Sequence, residues 1–200
     1  MEVSVFAEKE VYMRVISGIA GSLKLKTIEG MDTRPTTDRI KETLFNMIQA
    51  DIPGCRFLDL FSGSGAIGIE ALSRGAEEAV LVESNPKAAA CIKENLQFTH
   101  LQEHAKVMQT DVFQALGRLQ GSGAFDFIFM DPPYDHELEK QVLQTLQDSD
   151  LADEYTVIIT EASLHTDFSY LEQFGYKIKK YKKYKTNAHV FIEKVQQRKE

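Results

Sequence analysis

Four residues in the middle of the chain could hold a planar group that carries an amine: Asp131, Pro132, Pro133 and Tyr134. They follow residues 125–130, an apolar run that is too hydrophobic for a loop and predicts a buried strand. Two successive prolines fix the backbone and lack N–H donors, so their carbonyl groups remain as acceptors beside the Asp131 carboxylate. With the Tyr134 ring for stacking, this bend suits a nucleobase edge or a carboxamide. Taken alone, it is equally compatible with an ordinary turn at a strand end.

A second candidate segment, residues 57–68, reads as a strand, a glycine turn and the start of a helix. Glycines allow a tight turn and a close approach of a ligand to the backbone, and the helix N-terminus presents unpaired N–H groups. Asp59 at the strand end would repel a phosphate, so the segment favours a cationic ligand, such as the ammonium of a methionine moiety beside a sulfonium. The predicted ligand contacts here are Asp59, Phe61, Ser62, Gly63, Ser64 and Gly65.

Further acids follow the next strands. Glu83 ends the second strand, at a distance from Asp59 typical of an acid that binds ribose hydroxyls. Asp111 follows the third strand, where a carboxylate can accept from an adenine amino group. Because parallel strands end at one edge of a sheet, these acids and Asp131 should converge on a single ligand crevice. The predicted cofactor site also includes Asp131 itself and three neighbours of the acids, Ser84, Asn85 and Val112.

Regular alternation of strands and helices must position these residues. Strands are expected at residues 56–61, 79–83, 105–109, 125–130 and 156–161, and helices at residues 66–73, 86–99, 112–119 and 137–148. This pattern requires right-handed crossovers and a parallel sheet with helices on both faces. Residues 176–184 and 189–195 read as two more strands without an intervening helix. We expect them to form an antiparallel pair at one edge.

The N-terminal region does not follow this alternation. Residues 1–12 are short and acidic, and we interpret them as a non-native extension. Residues 13–28 predict a β-hairpin, and a helix with a capping residue begins at Thr36-Thr37-Asp38. The expected organisation is therefore a small appendage at residues 13–50 and an α/β domain at residues 51–196.

Composition sets wide bounds on function. The chain has 200 residues, of which 43% are hydrophobic, as in a globular protein, and no apolar run approaches the ~20 residues of a membrane span. With two cysteines, Cys55 and Cys91, and five histidines without ligand spacing, no disulfide framework and no metal site are expected. A cytoplasmic protein is the default interpretation.

Basic residues are unevenly distributed although the net charge is −7. One group lies near the N-terminus and includes Arg34, Arg39 and Lys41. Another is the stretch 177–185, in which lysines alternate with tyrosines. A sign-segregated surface of this kind can bind a polyanion locally. The alternative for residues 177–185 is an edge strand that lysines protect against aggregation.

The chain resembles the class I S-adenosylmethionine-dependent methyltransferases in residues 59–65, and in residues 131–134 it is similar to enzymes of that class that methylate amines. A closer resemblance is to the RsmD-like family of bacterial small-subunit ribosomal RNA guanine-N2 methyltransferases. Residues 13–21, 34–46 and 59–75 carry it, and it extends from Met13 to about Val195.

That resemblance implies a Rossmann-like fold with a seven-stranded, mostly parallel sheet and one antiparallel edge strand, preceded by an N-terminal hairpin and helix. It also implies S-adenosylmethionine as cofactor and the N2 amine of a guanine in 16S rRNA as methyl acceptor, within the 30S subunit or an assembly intermediate. In this interpretation Asp131 and the Pro132 carbonyl accept the amine hydrogens, and Tyr134 stacks on an unstacked base. Either Asp131 or water takes the proton. Arg34, Arg39 and Lys41 would contact phosphates.

Two other kinds of function remain as alternatives. The same fold could methylate a different amine, either adenine N6 in DNA or a protein glutamine, although residues 34–46 disfavour both. A non-catalytic RNA-binding protein of ribosome assembly would retain the fold without needing the acceptor pocket at residues 131–134.

Overall fold

A computed structural model of the chain describes residues 13–27, 38–133 and 137–195. The interpreted extension at residues 1–12 and the predicted site residues Arg34 and Tyr134 lie outside these ranges, as do Thr36 and Thr37. The described helices and strands are β1 (Met13–Arg14), β2 (Lys24–Leu25), α1 (Asp38–Ile48), β3 (Arg56–Asp59), α2 (Ala66–Ser73), β4 (Glu78–Glu83), α3 (Pro86–Thr99), β5 (Ala105–Gln109), α4 (Val112–Leu119), β6 (Phe127–Met130), α5 (Leu138–Gln147), β7 (Val157–Ser163), β8 (Tyr176–Lys183) and β9 (Asn187–Lys194).

Seven strands form the central sheet in the order β5-β4-β3-β6-β7-β9-β8. The strands β3 to β7 are mutually parallel, whereas β9 runs antiparallel to both β7 and β8. This confirms the predicted mostly parallel sheet and the antiparallel pair at one edge. Within that pair β9 is the reversed strand and β8 forms the edge.

Both faces of the central strands β3, β4, β6 and β7 are covered, which explains why these strands are largely apolar. On the first face Phe57, Phe129 and Ile159 pack against residues of β1, β2 and the helices α1 to α3. On the second face Leu58 and Ile128 pack against α4 and α5. Because side chains alternate along a strand, residues two positions beyond Phe129 and Ile159 also belong to the first face.

The observed elements match the predicted ones to within a few residues at their ends. The strand β3 ends at Asp59 rather than at residue 61, because the chain turns there into the glycine loop. Two 3₁₀ helices, Gln102–His104 and Leu171–Phe174, were not expected from the sequence. No helix in the described ranges is both long enough and apolar enough to cross a lipid bilayer.

The hairpin docks on the C-terminal end of α2. Ile19 donates its N–H to the carbonyl of Ser73 at 2.8 Å, and the Ser73 hydroxyl accepts from Ala20 and donates to Ser17. Gly18 has a positive φ of 83°, and a Cβ atom there would lie 1.8 Å from the Ser73 oxygen. The turn therefore approaches the helix as closely as only glycine permits.

A buried carboxylate, Glu70 of α2, joins the hairpin to α1. It accepts backbone N–H groups from Ile16 at 2.7 Å and Ser17 at 3.1 Å. Its two oxygens also pair with Lys41 Nζ at 3.3 Å and Arg74 Nε at 2.7 Å. Because a buried charge is stable only when it is paired and hydrogen-bonded, this cluster fixes the relative positions of three segments.

Lys41 is therefore not a surface residue, and its predicted contact with RNA is wrong. The side chain is fully buried, and besides Glu70 it bonds to the carbonyl of Arg14 at 2.5 Å. Burial lowers the pKa of the Lys41 ammonium, and the Glu70 carboxylate opposes that shift. Lys41 lies on the same helical stripe as Leu44, Phe45 and Ile48, which faces the core.

Replacing the central carboxylate should destabilise the whole fold. Glu70→Gln keeps an acceptor oxygen but leaves the buried Lys41 and the partly buried Arg74 without this counter-charge, so we expect a loss of about 3 kcal/mol or more in the free energy of unfolding. The control is Glu42→Gln, an exposed position on α1, with an expected change below about 0.5 kcal/mol. Urea denaturation measures both, and equal losses would contradict the importance of the cluster.

Candidate active site

The predicted acids converge at the carboxyl edge of the parallel strands. Asp59 ends β3, Glu83 ends β4, Asp111 follows β5 and Asp131 follows β6. The order of the strands in the sheet, β5-β4-β3-β6, places the four acids side by side. The structure therefore brings together the residues that the sequence identified as one crevice.

Asp59 is a buried carboxylate with an incomplete set of partners. It is 1% exposed, and its Oδ2 atom accepts the N–H of Gly68 at 3.2 Å. Within the described part of the chain no donor reaches its other oxygen, Oδ1. Burial raises the pKa of Asp59 to about 7, although the Gly68 N–H opposes the shift, and the Glu83 charge adds to it. A cationic ligand would supply the positive charge and the hydrogen-bond donor that this carboxylate lacks.

The glycine turn is shaped for close approach to a ligand. Gly63 and Gly65 have positive φ angles of 53° and 82°. A Cβ atom on Gly65 would lie 3.2 Å from both Ile92 and Leu81, whereas one on Gly63 would meet open space. Gly63 therefore has a backbone conformation that favours glycine, and it borders open space.

Other residues of the turn are fixed from outside it. The Ser62 hydroxyl donates to the carbonyl of Asp59 at 2.9 Å, and the Ser64 carbonyl accepts from Asn95 of α3 at 2.9 Å. Asn95 also makes hydrogen bonds to the backbone N–H and the carbonyl of Lys26. Phe61 is half-buried and packs against the apolar cluster on the second face of the sheet.

Glu83 is held by the backbone of two loops. Its Oε2 accepts from the N–H of Gly63 at 2.9 Å, and its Oε1 accepts from the N–H of Asn85 at 2.7 Å. Asn85 in turn caps α3 by accepting from Lys87 at 2.9 Å, and Ser84 is exposed between the two residues. The carboxylate keeps lone pairs on both oxygens, which suit the two hydroxyls of a ribose.

The Asp111 carboxylate already has hydrogen-bond partners within the protein. Its Oδ1 caps α4 by accepting from the N–H groups of Phe113 and Gln114, each at 3.0 Å. The neighbouring Val112 is buried, with 7% exposure. Contact of Asp111 with an adenine amino group therefore remains a prediction, which would use the second carboxylate oxygen.

The acceptor segment, which begins with Asp131 and Pro132, follows β6 directly. Asp131 is largely buried, and burial raises the pKa of its carboxyl well above the ordinary value, with the charges of Glu161 and Asp59 adding to the shift. Pro132 is buried, and Pro133 is exposed. Like Asp59, Asp131 is therefore a carboxyl group whose ionisation is disfavoured, and it precedes the backbone carbonyls of two prolines.

Glu161 is a fifth acid at this edge, and the sequence interpretation missed it. The last aligned pair of β6 and β7 is Met130 with Thr160, so Asp131 and Glu161 follow as neighbours on adjacent parallel strands. Glu161 is 6% exposed. The rule that identified the other acids would have found it, because the predicted fifth strand also ended on this residue.

The remaining predicted RNA contact, Arg39, is exposed on the first turn of α1. Among the described residues no group of three or more histidine, cysteine, aspartate or glutamate side chains could hold a metal ion.

A mostly parallel seven-stranded sheet with a reversed strand beside its edge, and a glycine turn after its first strand, defines the class I methyltransferase fold. Within that class the chain matches the family model "Conserved hypothetical protein 95" over residues 13–193 and belongs to this family, the RsmD-like proteins expected from the sequence.

Two curated relatives and two solved structures illustrate the similarity. The Bacillus subtilis protein YlbH is 43% identical over 74% of this chain and 82% of its own length. "Ribosomal RNA small subunit methyltransferase D" of Haemophilus influenzae is 37% identical over 67% and 70%. Escherichia coli yhhF superposes with a TM-score of 0.80 at 28% identity, covering 94% of this chain and all of that one. Thermus TTHA0928 gives 0.77 at 31% identity, covering 90% and 99%.

The raised pKa of Asp59 predicts a pH-dependent effect of Asp59→Asn on stability. The folded-state pKa of about 7 exceeds the ordinary value, so the wild-type fold loses stability between about pH 4 and pH 7 as the unfolded chain ionises first. The neutral asparagine avoids this loss while still accepting from Gly68.

We therefore expect Asp59→Asn to become more stable relative to wild type as pH rises, by at most about 4 kcal/mol above pH 7. Urea denaturation at pH 5, 6, 7 and 8 measures the difference. A difference that stays constant with pH would show that Asp59 titrates normally in the folded protein.

Proposed function

We propose that this protein transfers a methyl group from S-adenosylmethionine to the N2 amine of a guanine in 16S rRNA, in the cytoplasm, within the 30S subunit or an assembly intermediate. The observation that carries the proposal is the position of Asp131 and Pro132, at the end of β6 on the same crevice as Asp59 and Glu83. Membership of the RsmD-like family supports it, since the Haemophilus relative is named a small-subunit rRNA methyltransferase.

The crevice fits the cofactor, which would supply an electrophilic methyl group on a sulfonium. The unpartnered Oδ1 of buried Asp59 suits its ammonium group. Glu83 would accept from the ribose hydroxyls, and Asp111 from the adenine amine. The backbone of the glycine turn would approach the methionine part, with Ser84, Asn85 and Val112 beside the nucleoside.

The acceptor segment would prepare the amine to react. The lone pair of an exocyclic amine is delocalised into the base, which makes the nitrogen a poor nucleophile. Asp131 and the Pro132 carbonyl can accept its two hydrogens, so that the lone pair points out of the plane of the ring. Tyr134 and Pro133 would hold the base. Orientation and polarisation of this kind supply catalysis without a covalent intermediate.

The RNA would contact the face of the sheet that carries the acids. In the β8–β9 register Lys180 pairs with Phe191 and Lys182 pairs with His189, so both lysines project on that first face. Both are exposed. Together with Arg39, and with Arg34 outside the described ranges, they would contact phosphates and position the RNA without reading its sequence. The appendage at residues 13–50 and the domain at residues 51–196 would thus share the substrate.

Asp131→Ala should abolish methyl transfer and leave cofactor binding nearly unchanged. Asp131→Asn should lose at least about 100-fold in kcat/KM, because an amide accepts fewer hydrogens and takes no proton. Labelled methyl transfer to 30S particles that lack the modification measures activity, with mapping of the product nucleotide, and calorimetry measures cofactor affinity. An active Asp131→Ala enzyme would refute the assignment, and a product on adenine or on protein would favour the alternative amines.

Removing the two lysines should weaken RNA binding and its salt dependence. We expect Lys180→Ala/Lys182→Ala to lower the log–log slope of affinity against salt by roughly 1 to 2. Lys106→Ala/Lys183→Ala is the matched control, with the same charge change at exposed positions on β5 and on the second face of β8. Binding to 30S particles is titrated with KCl. Equal effects of the two double variants would exclude a phosphate contact at this face.

A further inference from the structure

We propose that Glu161 is the second acceptor carboxylate of the base pocket, and that it selects guanine by accepting the N1–H of the Watson–Crick edge. This inference rests on the proposed function and goes beyond it, since it explains how the enzyme would distinguish guanine from other purines with a 2-amino group. Four observations support it: the position of Glu161, the cavity that it lines, the groups that hold it, and the pattern of donors on guanine.

Glu161 lies on the same face of the sheet as Asp131, the carboxylate proposed to accept from the substrate amine. Asp131 is two residues beyond Phe129, and Glu161 is two residues beyond Ile159, and these two apolar residues pair in register on the first face. The two carboxylates therefore project side by side from neighbouring strands. Their proximity is also apparent in the pKa of Asp131, which the Glu161 charge helps to raise.

A cavity of about 300 Å³ lies where these two strands end. Pro132 and Glu161 line it together with Ala162, Ser163 and Tyr170, whereas Asp131, the residue before Pro132, does not line it. This volume is large enough for one flat base. The other lining residues include Glu137, Glu139, Asp167 and His165, and no lysine or arginine is among the described residues that line the cavity. Such a lining disfavours a phosphate and favours a group that presents N–H donors.

The Glu161 carboxylate is oriented by donors from β9. Asn187 Nδ2 donates to one oxygen, and His189 Nε2 lies 3.3 Å from the other. The Tyr184 hydroxyl lies 3.1 Å from His189 Nδ1. Burial raises the pKa of Tyr184 to about 12, with a contribution from the Glu161 charge, so the phenol keeps its proton.

Each of these groups has a hydrogen-bond partner when the Tyr184 hydroxyl donates to His189 Nδ1 and His189 donates its Nε2 hydrogen to Glu161. The chain of donors therefore ends on Glu161 and gives its carboxylate a fixed direction as an acceptor. A preoriented, buried acceptor of this kind is what strong discrimination between ligands requires.

The donor pattern of guanine matches this set of acceptors. Its edge presents N1–H and the two hydrogens of the 2-amine. Asp131 and the Pro132 carbonyl take the amine hydrogens, and Glu161 takes N1–H. In 2,6-diaminopurine the 2-amine is retained, but N1 is an acceptor, so its lone pair would face the Glu161 carboxylate. That repulsion rejects the analogue while the reacting nitrogen stays the same.

The test uses 30S particles reconstituted with a ligated 16S rRNA that carries either guanine or 2,6-diaminopurine at the mapped target position. Wild-type enzyme should prefer guanine in kcat/KM by roughly 10- to 100-fold, as expected for base-edge hydrogen bonds. Glu161→Gln can donate its amide hydrogen to N1 of the analogue. It should therefore lose activity on guanine and reduce or invert the preference by about tenfold or more.

Two further variants separate recognition from structure. Glu161→Asp keeps an acceptor and should retain the preference for guanine at a lower rate, even if packing is disturbed. Glu154→Gln, an exposed position before the opposite end of β7, should change neither rate nor preference. Because the wild-type comparison of the two bases needs no variant, a poorly folded Glu161→Gln protein does not prevent the test.

Each outcome has one meaning. Equal wild-type rates on the two bases would overturn the role of Glu161 and leave the proposed function intact. An unchanged preference in Glu161→Gln would do the same. Failure of wild-type enzyme to methylate guanine in the particle would overturn the proposed function itself, and the inference with it.

Discussion

Convergence of carboxylates at one edge of a parallel sheet is the constraint on which this molecule depends. Three of the five acids there are satisfied by the protein: Glu83 and Asp111 accept two backbone N–H groups each, and Glu161 is held by Asn187 and His189. The other two, Asp59 and Asp131, have raised pKa values because burial and neighbouring charges oppose their ionisation. These two are the acids assigned to a ligand ammonium and a substrate amine. The ligands would thus complete what the fold leaves unsatisfied.

The helix α2 connects this edge to the N-terminal hairpin. Its first turn follows Gly65 in the glycine loop, and its last residue, Ser73, bonds to the hairpin. Glu70, one turn earlier, binds both the hairpin backbone and Lys41 of α1. Asn95 provides a second connection between the N-terminal segment and the loop. The N-terminal part of the surface proposed to receive RNA, which includes Arg39 of α1, is therefore positioned by the same helix that follows the glycine loop.

Most of the fold could be predicted because its signals are local. Alternating apolar strands, helical spacing and acids at strand ends all lie within a few residues of one another. The burial of Lys41 depends on Glu70, which approaches from a helix distant in sequence. One local sign existed, since Lys41 shares the stripe of Leu44, Phe45 and Ile48. Glu161 also had a local sign, since it ends the predicted fifth strand, but the donors that orient it come from β9, which is next to β7 in the sheet and separated from it along the chain by β8.

The raised pKa of Asp131 bears on the fate of the proton in the proposed reaction. A methylated amine must lose a proton, and water at neutral pH is a much weaker base than a carboxylate. Burial beside Glu161 and Asp59 makes the Asp131 carboxylate more basic than an exposed one. It also increases the free energy gained when donors from a substrate reach it. The same burial that disfavours the charged empty site therefore makes the Asp131 carboxylate a better proton acceptor than an exposed carboxylate, and both effects follow from the geometry of adjacent strand ends.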